Sequence, residues 1–149
     1  MQIRSLFAPA LVVGALTLGG CSLPGIPVPG LPGVEVNDGG YSLNDGDTTI
    51  NVGPAVAMPG DFPSELPVPD GQLISAVAGE GAWTLVFDGA DKGNVDELAE
   101  YFKSNGFTVN VESDIGSAWG GNYSNDSYNV TINWDGNSAL AYAVQVVAE

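Results

Sequence analysis

The feature that most constrains this chain is a period-two alternation that recurs from Leu73 to Val146 and is broken once by a period of 3.6. Trp83, Leu85 and Phe87 alternate with Thr84, Val86 and Asp88; Tyr128, Val130, Ile132 and Trp134 alternate with polar neighbours; Leu140, Tyr142, Val144 and Val146 share one parity. Such runs suit strands with one face packed and the other facing water. Leu73 to Ala78 reads as a further strand, pairing with the Trp83 run around Gly79-Glu80-Gly81. Phe107, Val109 and Val111 alternate as another, and Ser117 to Ser124 is a weaker one. The exception is Val95, Leu98, Ala99 and Phe102, which fall on one face of a helix. Asn94 stands where an N-cap belongs, with Glu97 three residues on, and Gly106 can end the helix in the left-handed conformation. The expected order is β-β-α-β-β-β, an α+β antiparallel sheet with one helix packed on a face.

The first third of the chain reads differently. Residues 24–33, Pro-Gly-Ile-Pro-Val-Pro-Gly-Leu-Pro-Gly, hold neither helix nor central strand and read as a tether. Residues 34–57 carry short strand-like runs (Val34 to Val36, Thr48 to Val52) with turn signals at Asp38-Gly39 and Asp45-Gly46. They are expected as an acidic hairpin on the main domain, or as disordered chain. From residue 58, Phe62, Leu66 and Val68 are expected to pin an extended, proline-rich run onto the core, with Asp70-Gly71 as a turn.

Upstream of the tether, Arg4 precedes an apolar stretch from Leu6 to Leu18, of secretory-signal length and short of the ~20 residues of a membrane span. Leu18-Gly19-Gly20-Cys21 follows, and Cys21 is the only cysteine, so no intramolecular disulfide can form. This segment resembles the lipobox of bacterial prolipoproteins. The resemblance implies cleavage between Gly20 and Cys21 and a diacylglyceryl or fatty acyl (palmitate-type) group on the Cys21 thiol. It divides the chain into a signal peptide (1–20), a lipidated tether (21–33), the acidic segment (34–57) and an α+β domain (58–149). Phe62-Pro63, Pro67-Val68-Pro69-Asp70-Gly71, the Trp83 strand and Gly106-Phe107 also resemble small lipoproteins of actinobacteria. That likeness implies a place on the extracytoplasmic face of the cell membrane and supplies no catalytic residue.

Charge narrows the partners. The chain carries −15, and loss of Arg4 with the signal leaves Lys92 and Lys103 against 18 carboxylates, or −16. Nucleic acid needs Lys and Arg on its phosphates, and anionic headgroups need a polybasic patch; neither requirement is met. Membrane attachment is therefore expected from the covalent lipid alone. The chain has no histidine, which removes the commonest general base and metal ligand. Nothing sets one carboxylate apart as a raised acid for glycoside hydrolysis, so no catalytic residue and no enzyme activity is expected. The three N-x-[ST] matches at Asn122, Asn125 and Asn129 read as coincidences of a polar segment.

Two binding constellations merit weighing. Asp38, Asp45 and Asp47 supply the oxygen ligands Ca²⁺ requires, but without the EF-hand spacing, and Asx-Gly turns account for them equally. Trp119 and Tyr123, with Asn122 between them, suit a sugar, rings stacking and amide bonding; both rings are also ordinary strand residues. The expectation is a lipid-anchored, non-catalytic envelope module that binds an envelope protein or polysaccharide. The alternative is a binder of a divalent cation or a small ligand such as a sugar.

Overall fold

The structure is a computed structural model that describes residues 34–148 apart from 38 and 55. The signal, Cys21 and the tether lie outside the described residues, as does Asp38. The chain forms β1 (Val34–Asn37), β2 (Gly40–Asn44), β3 (Thr48–Val52), β4 (Gln72–Gly79) and β5 (Ala82–Asp88), then α1 (Lys92–Ser104). After the helix come β6 (Thr108–Asp114), β7 (Trp119–Ser124), β8 (Tyr128–Trp134) and β9 (Leu140–Val146). All nine strands pair antiparallel in one sheet, in the order β1-β2-β3-β4-β5-β9-β8-β7-β6. The α+β reading therefore stands with a different element order. Three strands precede the expected hairpin, because β3 bonds in register to the free edge of β4, and β2 and then β1 add beyond it. The weak strand before Tyr128 pairs fully on both sides.

Local chemistry explains the turns. Glu80 and Gly81, between β4 and β5, both have positive φ (47° and 74°), as a two-residue hairpin matched to strand twist requires. The helix starts one turn earlier than expected. Asp91 is the N-cap, its carboxylate accepting from the Asn94 N–H (3.1 Å) while the Asn94 side chain accepts from the Asp91 N–H (2.8 Å). Asn94 is thus the third helical residue of a capping box rather than the cap. Gly106 has φ 80°, just past the helix.

Val95, Leu98, Ala99 and Phe102 of α1 are buried on the sheet. They meet Trp83, Leu85 and Phe87 of β5, Val130 and Ile132 of β8, and Leu140, Tyr142 and Val144 of β9, all in the core. The loop before β4 adds Leu66 and Phe62, whose ring stands edge-on to Trp83 and Tyr142 at 6.0 Å. This run is not extended throughout: tight turns close from the Phe62 and Leu66 N–H groups to the Pro59 and Pro63 carbonyls. Val68, expected on the core, is exposed. Among the described residues, no helix is long and apolar enough to cross a membrane.

Candidate functional site

The helix covers one side of the sheet, and the register defines what lies on the other. Three rows of cross-strand partners run along that open side. One joins Val36, Tyr41, Val52, Ser75 and Val86 to Ala141, Asn133, Gly120 and Ser113. The next joins Val34, Leu43, Ile50, Val77 and Thr84 to Ala143, Thr131, Asn122 and Val111. The shortest runs from Thr48 through Gly79, Ala82, Gln145, Asn129 and Ser124 to Thr108. None of these positions carries a charge, on a chain of net −15.

The rows are graded. On β1–β3 the two longer rows are valine, leucine, isoleucine and tyrosine, with Val36 48% and Tyr41 50% exposed, and the third begins at Thr48. The reverse side of the same strands is polar, with Glu35, Ser42, Asn44, Thr49 and Asn51, and no residue of β1–β3 is among the buried core. A one-residue change of pairing would have turned the apolar set toward the helix side; the observed register holds it away.

Toward β6 the face becomes an amide and hydroxyl ladder. The Asn110 side chain donates to Asn122 Oδ1 (2.8 Å) and Ser124 Oγ (2.9 Å). Asn122 Nδ2 in turn lies within hydrogen-bond distance of Asn129 Oδ1, Thr131 Oγ1 and the Val130 carbonyl. Asn110 reaches the face because a bulge between Val109 and Val111 breaks the strand's alternation. Val109 therefore falls on the helix side and Val111 on the open side, not on the shared face that alternation predicts. Beside the ladder lies a groove of about 530 Å³, lined by Val86, Ile115 and Ala141 and also by Trp119, Trp134 and the carboxylate-bearing Asp135.

The ligand face weighed from the sequence does not assemble. Trp119 and Tyr123 are buried on the helix side of β7, whereas Asn122 lies on the open side. The glycine next but one to Trp119 makes room for its indole within the core: a Cβ on Gly121 would stand 2.4 Å from the ring. The Tyr123 hydroxyl donates to Glu112 Oε1 at 2.5 Å. Burial and this carboxylate push the phenol far above its ordinary pKa. Burial raises the Glu112 carboxyl, but bonds from Lys103 (2.7 Å) and Tyr123 outweigh it and hold the group below its usual range. Lys92 pairs with Asp96 and, at 3.5 Å, with Asp114, so both lysines are engaged.

The acidic cluster is likewise spent on local structure. Asp45 Oδ1 accepts from the Thr48 N–H (3.0 Å) and Asn44 Oδ1 from the Gly46 N–H (2.9 Å), which fastens the β2–β3 turn. Asp47 is exposed. Among the described residues, no three Asp, Glu, His or Cys side chains gather as a metal site.

Fold and face together define an α+β protein whose antiparallel sheet is packed against the helix on one side, beyond β1–β3, and on the other is open and graded along three rows that carry no charge, with Asp135 in the groove beside them. No family model, no curated protein and no solved structure matches the chain.

Proposed function

We propose that this chain is a bacterial lipoprotein whose domain is a non-catalytic binding module, engaging a partner in the envelope through the open face of its sheet. Residues 1–20 direct export, Cys21 carries the lipid, and residues 21–33 tether the domain outside the cell membrane. The lipobox sequence supports the anchoring, and the apolar end of the open face carries the binding. That end carries Val34, Val36, Tyr41, Leu43, Ile50 and Val52 on β1–β3, continued by Val77 and Val86 on β4 and β5, with Val36 and Tyr41 about half exposed. Rows without charge in so acidic a chain favour selection by shape and desolvation rather than by electrostatic steering.

Footprinting in living cells tests both parts. The lipid is read by intact mass of the detergent-extracted protein and by membrane release of Cys21→Ser; a Cys21→Ser chain that is processed and retained like the parent refutes the anchor. For the face, Leu43→Cys and Val77→Cys are alkylated in intact cells and in the isolated, diluted chain. Protection in cells of at least several-fold is expected. Equal rates would mean the face is bare where the protein works, and the binding reading would fall.

A further inference from the structure

Resting on that reading of the face as an interface, we infer that its occupant is a second copy of this chain, packed sheet on sheet about a two-fold axis that runs across the strands. The grading of the face is what selects a copy. A partner must offer valine and leucine opposite β1–β3 and amides opposite β6–β8, at the spacing of strands. An axis across the strands lays each strand over its own duplicate, so apolar meets apolar and amide meets amide. Aligned sheets pack in this way ~10 Å apart.

The extent of the surface agrees. Two rows that cross all nine strands and a third that crosses seven, at ~4.8 Å by ~7 Å per position, cover roughly 850 Å² in flat projection, against the ~800 Å² per partner of a standard interface. The pairing also closes on itself, since each copy uses up the one face it offers.

The same axis fits the anchor. β1 is an edge strand and directly follows residues 21–33. An axis across the strands puts both β1 strands at one end of the pair, so both tethers depart toward a single bilayer. An axis along the strands and through mid-sheet would set them at opposite ends. Other occupants fit less well. A basic protein finds no carboxylate on these rows, only Asp135 in the groove beside them; a polysaccharide finds one aromatic ring on the rows, Tyr41, with Trp119 and Trp134 in the groove's lining largely buried, and amides already bonded to one another.

Charge gives the pairing a distinctive signature. Each copy is strongly acidic outside the face, so like charges oppose association, and salt strengthens it by screening. A basic partner would respond in the opposite sense.

The test places a thiol on either side of one strand in the full chain, expressed in bacteria: Ile50→Cys on the open face, Asn51→Cys on the reverse. The unsubstituted chain with Cys21 is the background. A bis-maleimide long enough to span the ~10 Å between packed sheets is applied to isolated membranes. The expected result is a product of twice the chain mass, containing only this chain's peptides, from Ile50→Cys and not from Asn51→Cys. Its yield rises several-fold between about 0.05 and about 0.5 M salt, as the screening length shrinks from above 10 Å to about 4 Å. Attachment of Ile50→Cys to a different polypeptide, with no doubled product, overturns the second copy and leaves the interface standing. No product, with the introduced thiol alkylated in cells as fast as in the isolated chain, overturns both. Sedimentation of the unsubstituted full chain in density-matched detergent is independent of any variant: a doubled mass upholds the pairing, and a single chain throughout the micromolar range overturns it.

Discussion

Replacing Tyr142 by phenylalanine is expected to stabilise the protein. Tyr142 is 0% exposed, at the centre of β9, between the rings of Phe62 and Phe102. Among the described residues its hydroxyl has no hydrogen-bond partner. Burial, with the Tyr101 hydroxyl nearby, drives the phenol far above its ordinary pKa. An unpaired buried hydroxyl forfeits its water bonds at a cost of roughly 1–3 kcal/mol. Removing it leaves a void of about 10–15 Å³, worth about 0.3 kcal/mol at ~24 cal/mol per Å³. The net gain is about 1–2 kcal/mol, read as a higher urea midpoint by tryptophan fluorescence, or a Tm rise of roughly 4–8 °C for a domain of this size. Tyr123→Phe makes the opposite case. Its hydroxyl is bonded to the Glu112 carboxylate at 2.5 Å, so the same chemical change should cost about 1–2 kcal/mol. A loss of 1 kcal/mol or more from Tyr142→Phe, or equal shifts of one sign in both variants, would refute the reasoning.

Three further outcomes are expected. Glu112 titrates below its unfolded value, so its contribution is complete above the ordinary carboxylate range and lost as pH falls through the folded value; stability should decline from about pH 5 to pH 3, and Glu112→Gln should make that limb of a pH-dependent urea titration shallower. Gly121→Ala forces the Trp119 and Tyr123 rings aside, at about 1–3 kcal/mol, with a shift in tryptophan emission; an unshifted spectrum at parent stability would contradict the packing described. Asp91→Ala removes the capping box and should lower stability by about 1 kcal/mol in thermal melts, while Asp96→Ala, at an exposed ion pair, should lower it much less.

What could be read from the sequence was whatever depends on near neighbours in the chain. β5, β8 and β9 announce themselves because every second residue is large and apolar, and α1 because four buried positions fall on one stripe. The start of the helix was misplaced because Asp91 and Asn94 both satisfy a cap-like pattern, and only their reciprocal bonds decide between them. The bulge at Asn110 was invisible, since Val109 and Val111 read as one uninterrupted alternation. The open face was beyond sequence reasoning altogether. Val34, Val36, Leu43, Ile50 and Val52 alternate visibly, but the side they take relative to the helix is set by how β3 registers on β4, and their union with Val86 and Ala141 requires β9 to insert beside β5. Trp119 is hard to place from sequence for a related reason: the ring suits a ligand or a core equally, and the room that Gly121 leaves for it lies inside the core.

The position of β9, between β5 and β8, makes the last strand among the described residues the keystone of the sheet. A nascent polypeptide can lay down β1–β5 and, beyond the helix, β6–β8, but these halves share no strand pairing until residues 140–146 emerge and join them. Closure of the sheet must therefore wait until residues 140–146 have been synthesised. A premature stop before Leu140 would yield two ribbons with raw inner edges, the kind of fragment that proteases clear.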